Sequence, residues 1–247
     1  MGSVSSETAR VGGTTFGTAL RRVRHEDEAV DQIHETLLAA ILSLELIPGA
    51  RVSEADIARA VGASRTPVRA ALARLGEEGL IETRPSRGNY VTRLSAKAAR
   101  DAHFVRDALE SATVAQLSAI GIGETMSERL EANLAAAAEA AERGDGKVFA
   151  QLDDAFHHSL AEATGHERLL QVLTREKTGL ARLRALCPAQ TAYMREIVGE
   201  HRGILAAIRA GDEVEARARL SAHIGRVLGT LADLQVRHAE FFEEGGG

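Results

Sequence analysis

Apolar residues recur at helical spacing through most of the chain, and the breaks in that rhythm divide it. Within residues 29–46, Val30, Ile33, Leu37, Leu38, Ile41 and Leu44 line one face of a predicted helix. Pro48-Gly49 ends it. Ser53 has the chemistry of an N-cap for a short helix over 54–60, which Gly62 closes. Ser64 opens a third helix, with Val68, Ala71, Leu72 and Leu75 on one side. Past Gly79 come two strand-like pieces, Leu80-Ile81 and Tyr90-Val91. Arg84-Pro85-Ser86-Arg87-Gly88-Asn89 joins them with hairpin chemistry.

From Ser95 onward the strand signal stops. Alanine and leucine dominate, and Gly121, Gly144, Gly165 and Gly211 cut the pattern into about six helices: 96–120, 124–143, 146–163, 166–186, 190–210 and 212–240. A domain made only of helices of this length is a bundle. The predicted fold is therefore mainly α: an N-terminal winged helix-turn-helix, α with a small β-hairpin, over 26–95, then an all-α helical bundle over 96–240. Residues 1–25 are rich in Ser, Thr and Gly without a continuous apolar core, which predicts a disordered tail and no secretory signal; 245–247 read likewise.

The length of 247 residues accommodates two cores. No apolar run approaches the roughly 20 residues that cross a membrane. A single cysteine, Cys187, excludes an intrachain disulfide framework and a CxxC zinc motif, and suits a reducing cytoplasm, where the protein is expected. The net charge of −5 argues against general affinity for nucleic acid, but its distribution changes the picture. Residues 1–95 carry 12 basic and 12 acidic side chains; residues 96–247 carry 18 and 23. Within residues 58–93, seven arginines stand against Glu77, Glu78 and Glu82. A basic patch on a neutral domain, joined to an acidic domain, suits a DNA reader fused to something else.

In a winged helix-turn-helix, the helix that Ser64 opens enters the major groove by its N-terminal end. Arg65 and Arg69 are four residues apart and share a face there, where arginine can grip guanine in a bidentate fork. The Ser64 and Thr66 hydroxyls suit phosphate oxygens, and Arg87-Gly88-Asn89 forms the wing tip. Leu46-Ile47-Pro48-Gly49-Ala50-Arg51-Val52-Ser53-Glu54, the run from Val61 through Arg65-Thr66-Pro67-Val68-Arg69 to Leu72, Gly79-Leu80-Ile81 and Arg87-Gly88 together resemble the GntR family of regulators. The resemblance covers about residues 28–95 and implies that Ser64, Arg65, Thr66 and Arg69 contact DNA, with Gly88 in the wing.

Nine histidines raise the question of a metal, and helical phase separates them. In the third bundle helix, Phe149, Leu152, Phe156, Leu160 and Ala163 define the apolar face. Asp153 and His157 lie at its edge, whereas Asp154 and His158 point away. His201 falls at the centre of the stripe made by Ile197, Val198, Ile204, Leu205 and Ile208, and His223 at the edge of the last helix's stripe. His201 is 10 residues before Gly211 and His223 is 12 after it, so on antiparallel helices they sit at nearly one height. One carboxylate and three imidazoles pointing into a bundle fit a divalent metal: zinc first, with nickel, iron and manganese as alternatives. The same pattern also fits a hydrogen-bonded Asp–His network without metal.

Residues 152–160, Gly165-His166-Glu167-Arg168-Leu169, residues 200–208 and the later His223 resemble the FCD effector domain of the FadR subfamily over about 98–236. That resemblance implies Asp153, His157, His201 and His223 as metal ligands and argues against an acyl-CoA effector. It also makes Arg106, four residues before Glu110, an anion-binding residue for the effector; an ordinary surface pair with Glu110 is the alternative. Arg182 and Arg184 are further pocket candidates, and His166 reads as a helix cap. The expected function is a DNA-binding transcriptional repressor, a homodimer on a palindromic double-stranded operator, modulated by a small organic acid at the metal site. A regulator for which the metal itself is the signal is the alternative. A metalloenzyme is disfavoured, because the sequence offers no separate general base or nucleophile.

Overall fold

The structure, a computed structural model, describes residues 9–11, 14–16, 26–187 and 190–243. They fall into two compact units, one within Met1–Ala96 and Leu234–Gly247, the other Lys97–Asp233.

In the stretch predicted to be a disordered tail, β1 (Ala9–Val11) and β2 (Thr14–Phe16) pair antiparallel, with Ala9 opposite Phe16. The remainder of 1–25, and 245–247, lie outside the described residues. β-Branched and aromatic residues on either side of Gly12-Gly13 are hairpin chemistry, which the overall Ser/Thr/Gly composition hides.

The first unit then runs α1 (Glu26–Leu42), β3 (Arg51–Val52), α2 (Glu54–Val61), α3 (Arg65–Glu77), β4 (Ile81–Arg84) and β5 (Gly88–Val91). α1 stops at Leu42, short of the predicted 46. Leu44 turns into the left-handed region at φ 61°, and the Leu46 amide donates back to the Ala40 carbonyl. That turn delivers Leu46 into the core, so burial overrides the helical period. Ser53 caps α2 by accepting from the Asp56 amide. Gly62 ends α2 at φ 67°, a conformation that disfavours any side chain, and so sets the sharp turn into α3.

The sheet is antiparallel in the order β3-β5-β4, with Arg51 opposite Tyr90 and Ile81 opposite Val91. The expected hairpin thus gains a third strand of two residues. Ile33, Leu37 and Ile41 of α1, Ile57 and Val61 of α2, and Val68, Leu72 and Leu75 of α3 form one core with Val52, Leu80 and Val91. Arg74 reaches Asp31, and buried His34 bonds Glu78, tying α1 to α3 at the core's rim.

The end of the chain belongs to this unit. After a 3-10 turn over Ala239–Phe241, Phe242 is buried and bridges Leu94 in parallel. The Leu94 amide donates to the Phe241 carbonyl at 2.8 Å, and the Glu243 amide donates to Leu94 at 2.9 Å. The Arg93 guanidinium donates to the Glu240 and Phe242 carbonyls.

The second unit is the helical bundle: α4 (Ala96–Ile120), α5 (Glu124–Glu142), α6 (Gly146–Ala163), α7 (Glu167–Leu186), α8 (Thr191–Arg209) and α9 (Glu213–Arg237). These bounds meet the predicted ones within one residue, except that α9 stops at 237. Val114, Leu117, Leu130, Leu134, Phe156, Leu160, Ile204, Leu205, Ile208, Leu220 and Ile224 form its main core. Ala137, Ala140 and Ala141 of α5 pack with Phe149 of α6 and Ile197 and Val198 of α8; small side chains let those helices approach closely. Among the described residues no helix is long and apolar enough to cross a membrane.

Candidate DNA-reading surface and candidate metal centre

The exposed start of α3 carries the residues expected to read DNA. Ser64 occupies its N-cap, yet its hydroxyl makes no capping bond, so both that hydroxyl and the first-turn amides remain available to an anion. Arg65, Thr66 and Arg69 are exposed, while Pro67 and Val68 between them turn into the core. Arg69 Nη2 donates to Glu54 Oε2 of α2 at 3.2 Å. At the wing, Ser86 (φ 60°) and Gly88 (φ 96°) make the turn, and the Arg84 guanidinium lies over the Tyr90 ring.

In the bundle, Asp153 and His157 on α6, His201 on α8 and His223 on α9 bring one ligand atom each within 4.8 Å of one another. The three histidines are buried and the Asp153 side chain is 12% exposed. Asp154 and His158, expected to point away, are half exposed and stand outside this group. His201 stacks flat on Phe156, with ring centroids 4.0 Å apart.

The surrounding groups set the tautomers. His157 Nδ1 lies 2.6 Å from Glu110 Oε2, and His223 Nδ1 lies 2.8 Å from Glu200 Oε2. Burial pushes His157 down to about 4, against the opposing pull of Glu110, so its ring is neutral near pH 7. Burial likewise lowers His201 well below the usual imidazole range. Burial alone raises the Glu110 carboxyl, but His157 and Arg106 outweigh it and hold it ionised. His157 Nδ1 therefore donates to Glu110, which leaves a lone pair on its Nε2, facing the Nε2 atom of His223.

Those Nε2 atoms converge: that of His223 is 3.1 Å from both His157 Nε2 and His201 Nε2. A tetrahedral cation about 2.1 Å from each nitrogen spaces its ligands about 3.4 Å apart, close to these separations. The donors therefore fit a divalent metal. Asp153 offers Oδ1, which faces His201 Nε2 at 3.5 Å, because Arg184 Nη1 donates to its Oδ2 at 2.6 Å. Burial would raise the Asp153 carboxyl, but Arg184 and the imidazoles hold it well below the usual carboxylate range.

Arg106 and Glu110 do form the i,i+4 pair, but inside the protein: Nε to Oε1 is 2.7 Å and both side chains are 5% exposed. Through Glu110 the pair joins His157. Arg184 bridges Asp153 and Asp154, and Arg182 is buried. His166 occupies the N-cap position of α7, but its ring makes no capping bond and lies 3.3 Å from Gln116 Oε1.

Sequence reasoning did not assign roles to Glu200 or Lys177. Glu200 aligns His223 while Arg226 holds it from the other side. Lys177 sits on the α7 face that carries Leu173 and Leu180, and its charge acts on Glu110, Asp153, His157 and His201. A cation within an apolar helical stripe was its one sequence signal.

Two family profiles match the chain: "Bacterial regulatory proteins, gntR family" over residues 29–91 and "FCD domain" over 101–226. An "Uncharacterized HTH-type transcriptional regulator in unstable DNA locus" from Streptomyces ambofaciens is 33% identical over 85% of this chain and 88% of that protein. The "HTH-type transcriptional repressor RspR" of Escherichia coli is 29% identical over 86% and 93%. The solved structure of E. coli McbR/YncC shares the fold, with a TM-score of 0.71 at 22% identity over 83% of this chain and 97% of that one.

Proposed function

Since the chain belongs to the GntR family of DNA-binding transcriptional regulators and carries that family's FCD domain, we propose that it is a repressor whose operator binding responds to a small carboxylate held at a metal in the bundle. The observation that carries this reading is the convergence of three imidazole Nε2 atoms and one carboxylate, two of the imidazoles being oriented by buried or half-buried acids. A divalent metal, zinc first, supplies Lewis-acid positions there that a carboxylate oxygen can occupy.

Asp153, His157, His201 and His223 hold the metal in this reading, with Arg106 drawing an anionic effector to it. Arg65 and Arg69 contact base edges, Ser64 and Thr66 contact phosphates, and Gly88 lets the wing approach the duplex. Two copies on a palindrome match the geometry such readers use. The effector switches DNA binding only in so far as it binds the operator-competent and operator-incompetent states with different affinity.

The test is metal content by elemental analysis of purified wild type beside His201→Ala, with a thermal-shift screen of small carboxylic acids. About one metal per chain in wild type, with both metal and acid response lost in the variant, is the expected result. A metal-free wild type that still responds to an acid reduces the cluster to a polar network. Operator release that tracks metal concentration alone makes the metal the signal.

A further inference from the structure

Most arginines among the described residues of the winged unit are already held. Arg59, Arg69, Arg74 and Arg84 each donate to a carboxylate, and Arg93 donates to backbone carbonyls. Arg51 differs from these. It precedes the run of seven arginines in 58–93, is exposed on β3, and makes no hydrogen bond or ion pair with another described residue.

The sheet register fixes where Arg51 sits. It pairs with Tyr90, and Tyr90 pairs with Glu82, so these three side chains share the face opposite buried Val52 and Val91. Gly88, two residues before Tyr90 on β5, and its partner Arg84 lie on that same face, nearer the turn. The Arg51 side chain runs toward them: a Cβ on Gly88 would be 3.6 Å from its Nε and 3.8 Å from its Nη2. The guanidinium thus lies against the bare backbone of the wing turn, where a side chain larger than a methyl would compete for its space.

The two arginines of this face differ in charge balance. Arg84 stacks over the Tyr90 ring, 4.4 Å from its centroid, and is paired with Glu82. Arg51 brings an uncompensated positive charge and a full set of donors. It does so along the turn that a winged reader sets against the duplex. A guanidinium fork matches phosphate oxygens with two parallel bonds.

We propose that Arg51 is a further DNA-contacting residue of the wing, donating to a backbone phosphate, and that it supplies affinity rather than sequence preference. The missing side chain at Gly88 gives the guanidinium its place. The contact rests on DNA binding by the winged unit and is independent of the metal and effector reading.

In the experiment, full-length wild type first selects duplexes from a randomised pool. Binding of a selected duplex and of a scrambled duplex of equal length is then titrated by fluorescence anisotropy over a series of salt concentrations. Arg51→Gln removes the charge, Arg51→Lys retains it, and Arg84→Gln removes the wing cation that Glu82 already balances. Thermal melts establish that each variant is folded, with Arg51→Ala in place of Arg51→Gln if the latter is not.

Arg51→Gln should weaken binding of both duplexes by about tenfold or more, and lower the slope of log affinity against log salt by about 0.9 for each chain bound. Arg51→Lys should keep most of the slope, and Arg84→Gln should lower it less than Arg51→Gln does. Unchanged affinity and slope in Arg51→Gln, a loss confined to the selected duplex, a loss as large in Arg51→Lys, or an equal loss in Arg84→Gln overturns the proposal. A pool from which wild type enriches no duplex overturns DNA binding by this unit, and the contact with it.

Discussion

His157 and Glu110 show how far one side chain's function depends on its neighbour. The 2.6 Å contact at Nδ1 aims Nε2 at the other imidazoles, and Arg106 steadies the carboxylate from behind. Glu110→Gln keeps the shape but removes the charge that fixes the tautomer. Metal affinity, measured by chelator competition, should fall about 10–100-fold, as for other carboxylates behind histidine ligands. In the metal-free protein the depressed imidazoles govern the acid side of stability. The unfolded chain takes up protons as pH falls through about 6.5, while folded His157 resists until about 4. Stability is therefore fully present above pH 7 and lost as pH drops through that window. Thermal unfolding in chelator should show Tm level above pH 7 and falling by about 5 °C or more by pH 4.5; a flat profile contradicts neutral buried histidines. At the DNA-reading end, Arg69→Ala should weaken operator binding by about 1–3 kcal/mol and relax base preference, read by titration against operator variants. Unchanged affinity removes Arg69 from the reading set.

At the scale of elements, the α8–α9 hairpin brings two of the proposed ligands together. His201 and His223 lie on its two arms, and Gly211 makes its turn at φ 72°. The Asp212 carboxylate caps α9 by accepting from the Glu215 amide. Gly211→Ala strains the left-handed turn by about 1 kcal/mol. A melt should show Tm lower by about 2–4 °C with metal content retained, since the ligands stay in phase on their helices. The helical period carried most of this bundle's legibility: a long amphipathic stripe between glycines leaves few other solutions. β3 escaped notice because two residues are too few to establish any period, and Arg51–Val52 are strand only because β5 lies beside them.

Across the whole molecule, the chain's last described residues return to the linker that follows the wing. Phe242 is 4% exposed, and the backbone of Leu94 is held from both sides by Phe241 and Glu243. Removing residues 239–247 exposes Leu94 and discards a buried aromatic ring, a loss of about 2–3 kcal/mol in the unit that reads DNA. Hydrogen exchange at Leu94 should accelerate in the truncated protein, while metal content, set by residues 153–223, should stay the same. Equal protection in both proteins shows that the return contributes nothing to that unit.

The sequence by itself determined what is local. Helix bounds in the bundle, the cap at Ser53, the apolar phase of each helix and the inward candidates Asp153, His157, His201 and His223 all follow from spacing within one element, because backbone geometry alone sets which side chains share a face. The tertiary structure decided what depends on partners far apart in the chain. Glu110 meets His157 across 47 residues, Arg184 meets Asp153 across 31, and Leu94 meets Phe242. No periodicity reports such meetings, since they arise only when helices pack and water is excluded. The same burial placed Arg106 and Glu110, for which a surface pair was the alternative reading, inside the protein, and set Lys177 beside Asp154.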